Sequence, residues 1–136
     1  MKKVMVFGTF DIFHEGHENF LKQAKKHGDY LIAIVARDKT VVEVKRQETR
    51  NKEQARLKIL SNSKFINKAV LGSLRDKYSV IKKYQPDAIC LGYDQKAFVG
   101  DLRKKLKLFG LDGTKIIRLK SYYPEKYKSS LIKNKC

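Results

Sequence analysis

The sequence predicts a single α/β domain: a Rossmann-like five-stranded parallel sheet with helices on both faces. Three observations carry this. Near-continuous apolar runs of strand length recur at residues 4–7, 30–36, 69–72, 88–91 and 116–119, and strands covered on both faces read this way. Stretches with helical periodicity separate these runs by short connections, the pattern that builds parallel sheets with right-handed crossovers. The chain has 136 residues and no internal repeat, low-complexity tract or linker, so one core accounts for residues 1–136.

The first strand, 4–7, ends in Gly8-Thr9-Phe10-Asp11 and then His14-Glu15-Gly16-His17. Behind it Phe20, Leu21 and Ala24 form one helical stripe over 18–27, with Gly28 as C-terminal cap. The run at 30–36 is the strongest strand and is expected at the sheet centre. A polar stretch through Lys45 and Arg50 follows without periodicity and reads as a loop. The next helix spans 51–61, with Asn51 as N-cap and Gln54 as its reciprocal partner; Leu57 and Leu60 face inward, and Arg56 falls on another face. Ser73 caps a helix carrying Leu74, Tyr78 and Ile81, and Pro86 stops it. The fourth strand ends in Gly92-Tyr93-Asp94-Gln95. Leu102, Leu106 and Phe109 mark the last helix, with Gly110 as cap, before the fifth strand. A tail, 121–136, contains Pro124 and then Ser129-Ser130 before a short apolar helical start.

A strand, a tight loop and a helix start form phosphate-binding architecture. The first amides of a helix have no internal partner and carry the positive end of its dipole, so those near Gly16 and His17 are expected to face an anion. Gly8 would let phosphates approach the chain closely. His14 and His17 each add a donor, which suits a reaction that builds negative charge on phosphorus. The plainer alternative is one surface histidine and one helix-capping histidine. Lys45 and Arg50 follow the second strand, where open α/β sheets bind ligands, and are either phosphate clamps or solvated side chains. Ser129 and Ser130 gather hydroxyls at a helix start and also read as a plain capping sequence.

The composition limits the alternatives. There are 31 basic and 14 acidic side chains, a net charge of +17. Such a balance suits nucleic acid, an anionic surface or phosphorylated small molecules. The basic residues are spread over helix faces and match no RNA-binding module, so nucleic acid is not the expected partner. No apolar run approaches the roughly 20 residues of a membrane span, and charged residues interrupt the N-terminus before any signal-like apolar stretch; the expected location is cytoplasmic. Cys90, within an apolar run, and Cys136 are too few for a disulfide framework.

The string Gly8-Thr9-Phe10-Asp11-Ile12-Phe13-His14-Glu15-Gly16-His17 resembles the signature of the cytidylyltransferase-like nucleotidyltransferases. Residues 36–41, 51–56 and 91–95 are more similar to the archaeal FAD synthase branch than to the cytidylyltransferase branch, which commonly carries a tryptophan after its second glycine. The tail resembles the family's second signature in Ser129, Ser130, Ile132 and Lys133, with lysine where arginine is common. The resemblance implies attack of a substrate phosphate on the α-phosphorus of a nucleoside triphosphate, with pyrophosphate leaving. For the archaeal branch the substrates are ATP and FMN; the alternative is CTP with glycerol 3-phosphate or another phosphoalcohol. It further implies His14, His17 and Lys45 as catalytic, and Gly8, Thr9, Phe10, Gly92, Tyr93, Asp94, Ser129 and Ser130 around the nucleotide. Asp11, Asp38, Lys45, Arg50 and Tyr123 are implied near the acceptor. Mg2+ is expected on the triphosphate without a dedicated protein cage, with Asp11 as an outer partner, and a homodimer is an expectation of the resemblance alone.

Overall fold

A computed structural model describes residues 1–11, 14–46, 48–76, 78–92 and 99–120, with the backbone alone at 44, 45, 99 and 100. Its elements run β1 (Lys3–Gly8), α1 (Glu15–Lys25), β2 (Tyr30–Val35), α2 (Asp38–Lys45), α3 (Glu53–Ser61), β3 (Lys68–Leu71), α4 (Ser79–Tyr84), β4 (Ala88–Leu91), α5 (Val99–Leu108) and β5 (Lys115–Arg118). All strands are parallel, in the order β3-β2-β1-β4-β5. The central strand is therefore β1, not β2 as its longer apolar run suggested; β2 is interior and equally buried.

The alternation of side chains along β1 divides the core. Val4 and Val6 pack with Leu21 and Ala24 of α1 and Leu60 of α3. Met5 and Phe7 pack with Val80 and Ile81 of α4 and Leu102 and Leu106 of α5. Strands of period two thus feed two helical layers, one on each face of the sheet. Chain order reverses between β1 and β4, and the crevice outside the carboxyl ends at such a switch point is where open α/β sheets bind ligands.

Three elements differ from the sequence reading. Residues 38–45 form α2 rather than a loop, because buried Val41 anchors it and Asp38 sits favourably in its first turn. The following helix starts at Glu53, with Lys52 rather than Asn51 at the N-cap and no side-chain cap. The helix expected from Ser73 begins only at Ser79. There the Ser73 hydroxyl accepts the amides of Arg75 and Asp76 in a local turn, and Leu74 is exposed; such competition with the helix is what serine offers the backbone. The tail 121–136 lies outside the described residues.

Candidate active site

The two histidines are organised by the start of α1. His14 is its N-cap, with an extended backbone, and its Nδ1 accepts the Gly16 N–H at 2.9 Å. His17, three residues on, accepts the His14 N–H through its own Nδ1 at 3.3 Å, completing a reciprocal capping box. The rings stack with centroids 4.0 Å apart. Because each Nδ1 is an acceptor, the proton of each neutral ring sits on Nε2, so both rings present an Nε2–H donor. Burial lowers the pKa of His14 below its ordinary 6.5, in keeping with a neutral ring. The capping alternative is thus met at His14 through Nδ1, the ring nitrogen opposite Nε2. The Gly16 amide, expected to face an anion, is occupied by this cap.

Gly8 and Phe10 act differently from expectation. Phe10 takes a left-handed backbone, φ 52°, and turns its ring into the core, leaving it 5 % exposed. A Cβ on Gly8 would lie 2.7 Å from the Phe10 ring, so the glycine seats that ring rather than opening the chain to phosphate. The same ring meets His17 edge-on, with centroids 5.5 Å apart, and holds the imidazole plane.

Asp11 and Asp38 are both engaged by groups of the fold itself. Asp11 is 4 % exposed, and its two carboxylate oxygens accept the Arg50 and Asn51 amides at 2.8 Å each. An oxygen pair so engaged braces the β1 loop against the segment before α3. Asp38 pairs with Arg56 at 2.7 Å and also accepts the Glu53 amide and the Thr49 hydroxyl. Desolvation works to raise its pKa, but the Arg56 hydrogen bond, the Glu53 amide, the Arg56 charge and the Thr49 hydroxyl together lower it.

Arg56 is the residue that the sequence reading missed. It is fully buried, and beyond Asp38 its guanidinium donates to the carbonyls of Thr9, Ala36 and Asn51 at 2.8–3.0 Å. One planar group therefore ties together the ends of β1 and β2 and the entry to α3. The signal was available, because Arg56 stands one turn before inward-facing Leu60 and so shares its stripe. Arg37 and Glu53 add a second ion pair at 2.9 Å, and the Asp38 amide donates to Glu53.

On the other side of the switch point, Gly92 ends β4, and its carbonyl accepts the Arg118 guanidinium at 2.8 Å. Arg118, also unforeseen, thereby joins the ends of β4 and β5. Arg50 is exposed, and its backbone amide donates to Asp11. Lys45 closes α2, and its side chain lies outside the described residues, as do Tyr93, Asp94, Tyr123, Ser129 and Ser130. Cys90 is buried, and burial pushes its thiol up to about 12, an inert core residue. Among the described residues no group of three or more histidine, cysteine or acidic side chains is gathered for a metal ion, and no helix is long and apolar enough to cross a membrane.

A Rossmann-like sheet with a paired-imidazole helix start at its switch point defines a nucleotidyltransferase fold, and residues 5–135 match the cytidylyltransferase-like family model. The chain belongs to that family. It is 38% identical to the FAD synthase of Thermoplasma acidophilum over 135 residues, 99% of this chain and 94% of that protein. It is 41% identical to the FAD synthase of Archaeoglobus profundus over 130 residues, 96% and 82% of the two chains. Among solved structures, the lipopolysaccharide core biosynthesis protein from Thermoplasma volcanium superposes with a TM-score of 0.83 at 38% identity, covering 90% of this chain and 98% of that one.

Proposed function

We propose that this chain is an FMN adenylyltransferase, joining ATP and FMN to give FAD and pyrophosphate. Family membership and relatives of matching length named FAD synthase support the reaction class. The observation that carries the site is the stacked His14–His17 pair at the carboxyl end of the central strand.

An FMN phosphate oxygen attacks the α-phosphorus of ATP; the new P–O bond forms as the bond to the bridging oxygen breaks, and pyrophosphate leaves. The nucleophile is already an anion, so no general base is needed. Catalysis is therefore positioning and charge stabilisation. The Nε2–H groups of His14 and His17 donate to the α- and β-phosphates and to the charge that builds on the leaving oxygen. The Phe10 ring and the Arg56 brace hold them, with Thr9 beside the triphosphate. Lys45 and Arg50 hold the acceptor phosphate. Gly92, Tyr93 and Asp94 are assigned to the base and ribose, with Arg118 fixing the Gly92 carbonyl; Ser129 and Ser130 are assigned to the β/γ end of the triphosphate and Tyr123 to the acceptor.

A divalent ion, Mg2+ in this reading, would neutralise charge on the triphosphate. The Asp11 carboxylate is committed to two amides, so the ion would be held by phosphate oxygens and water rather than by a protein cage. The same reading places the enzyme in the cytoplasm, as a homodimer whose mass light scattering would measure. The decisive test is pyrophosphate release from ATP and CTP, each with FMN and with glycerol 3-phosphate. Release with ATP and FMN alone is expected; release only with CTP and glycerol 3-phosphate would replace the proposal with a cytidylyltransferase.

A further inference from the structure

Three consecutive residues at the end of β5 are tied to three different parts of the fold. The Arg118 guanidinium donates to the Gly92 carbonyl. The Leu119 amide donates to the Leu91 carbonyl at 2.8 Å, and the Leu119 side chain joins the core cluster that contains Leu21 and Ala24 of α1. Lys120 is held by Gln23 of α1. We propose that Gln23 is a positioning residue for ATP binding: by pairing with both backbone groups of Lys120 it fixes where residues 121–136 leave the sheet relative to the histidine helix. This rests on the adenylyltransferase reading above, which assigns Ser129 and Ser130 to the triphosphate.

Gln23 Oε1 accepts the Lys120 N–H at 3.0 Å, and Nε2 donates to the Lys120 carbonyl at 2.9 Å, the pairing that a neighbouring strand would otherwise supply. Nε2 also donates to Oδ1 of Asn19 at 2.6 Å, one turn earlier on the same face of α1. A reversed amide would set its oxygen against the Lys120 carbonyl and the Asn19 oxygen, so one orientation alone satisfies all three bonds. Asn19 and Gln23 are half-buried, whereas Lys120 is exposed. Water would satisfy an exposed backbone pair beyond a strand end; here a side chain 97 residues earlier in the sequence does so.

The anchor and the imidazoles belong to one rigid element. Gln23 stands six residues after His17, about 9 Å along the helix axis. Ser129 follows Lys120 by nine residues, a reach of up to about 30 Å. A tail released at Lys120 keeps its hydroxyls but loses its fixed point of departure from α1. The cost then falls on binding of the triphosphate rather than on the chemical step.

The test is steady-state kinetics and limited trypsin digestion of two variants. Gln23→Met keeps bulk and helix propensity but makes none of the three bonds; Gln23→Glu keeps an acceptor for the Lys120 N–H alone. Lys22→Ala, an exposed neighbour on α1, is the control and should match the wild type. Gln23→Met should raise the KM for ATP by about three- to tenfold, the scale of one or two net hydrogen bonds. Its kcat at saturation should stay within about twofold of the wild type, and trypsin should cut faster at Lys126 and Lys128. Gln23→Glu should fall between. A kcat that drops with the KM for ATP unchanged would mean only a smaller folded fraction, and wild-type kinetics would make the clasp a local contact. Either result overturns the inference and leaves the adenylyltransferase reading intact. If the wild type makes no FAD from ATP and FMN, that reading falls; faster cleavage of Gln23→Met then still supports the anchor, and equal cleavage overturns it.

Discussion

At the scale of single residues, the two nitrogens of each imidazole have separate parts: Nδ1 caps α1 in the structure, and Nε2 is the donor in the proposed mechanism. Substitutions that imitate one nitrogen each can separate these roles. In His17→Asn the side-chain oxygen can still accept the His14 amide, but the Nε2 donor is gone. FAD formation at saturating substrates should fall by about a hundredfold or more, the effect of deleting one preorganised donor, with little change in melting temperature. His17→Gln keeps a donor near the Nε2 position and should retain more activity at a somewhat lower melting temperature. His14 adds a pH dependence. Its pKa in the fold lies below the 6.5 of the unfolded chain, so the unfolded state binds more protons at acid pH. The stability tied to the neutral ring is complete above about 6.5 and declines as pH falls through the window between the two values. Urea midpoints measured from pH 7.5 to 5 should show this slope, and His14→Asn should flatten it.

At the scale of elements, the junction of β1, β2, α2 and α3 depends on one buried cation. Arg56 donates to three carbonyls and one carboxylate, so Arg56→Met removes its bonds to the part-buried Thr9 and Ala36 carbonyls while keeping similar bulk; the Asn51 carbonyl keeps the Thr49 hydroxyl. The expected loss is about 3 kcal/mol or more by chemical denaturation, the scale for breaking a buried ion pair and orphaning its acceptors. Asp38, which is 31% exposed, regains water and limits the loss. Arg56→Lys should recover only part, because an ammonium cannot span the same fork of acceptors. This junction also marks where sequence reading stops. The five strands and the inward stripes of α1 and α5 were legible because burial on both faces writes itself as apolar runs and periodicity. Helix α2 was not, since among its described side chains Val41 alone is buried, with charged neighbours around it. Nor was the role of Asp11 or Asp38: both were expected near phosphate, and only the fold reveals the backbone amides and the guanidinium that occupy them. The His-x-Gly-His string was legible as a family signature at a helix start, whereas the reciprocal cap through both Nδ1 atoms emerges only from three-dimensional contacts.

At the scale of the whole molecule, the strand order makes the site. With β1 central and the chain reversing between β1 and β4, the histidine helix and Gly92 both follow the carboxyl ends of neighbouring strands. The net charge of +17 gives that edge a field attractive to substrates that are themselves polyanions. The apparent KM for both substrates should therefore rise between low and physiological salt, more steeply than kcat changes, as surface fields are screened within about 10 Å at 0.1 M. The measurement that tests the central claim most directly is a crystal structure with a non-hydrolysable ATP analogue. Nε2 of both His14 and His17 should lie within hydrogen-bond distance of the α- and β-phosphates, with each Nδ1 still bonded to its backbone amide. A nucleotide bound elsewhere, or phosphates out of reach of both rings, would contradict the account.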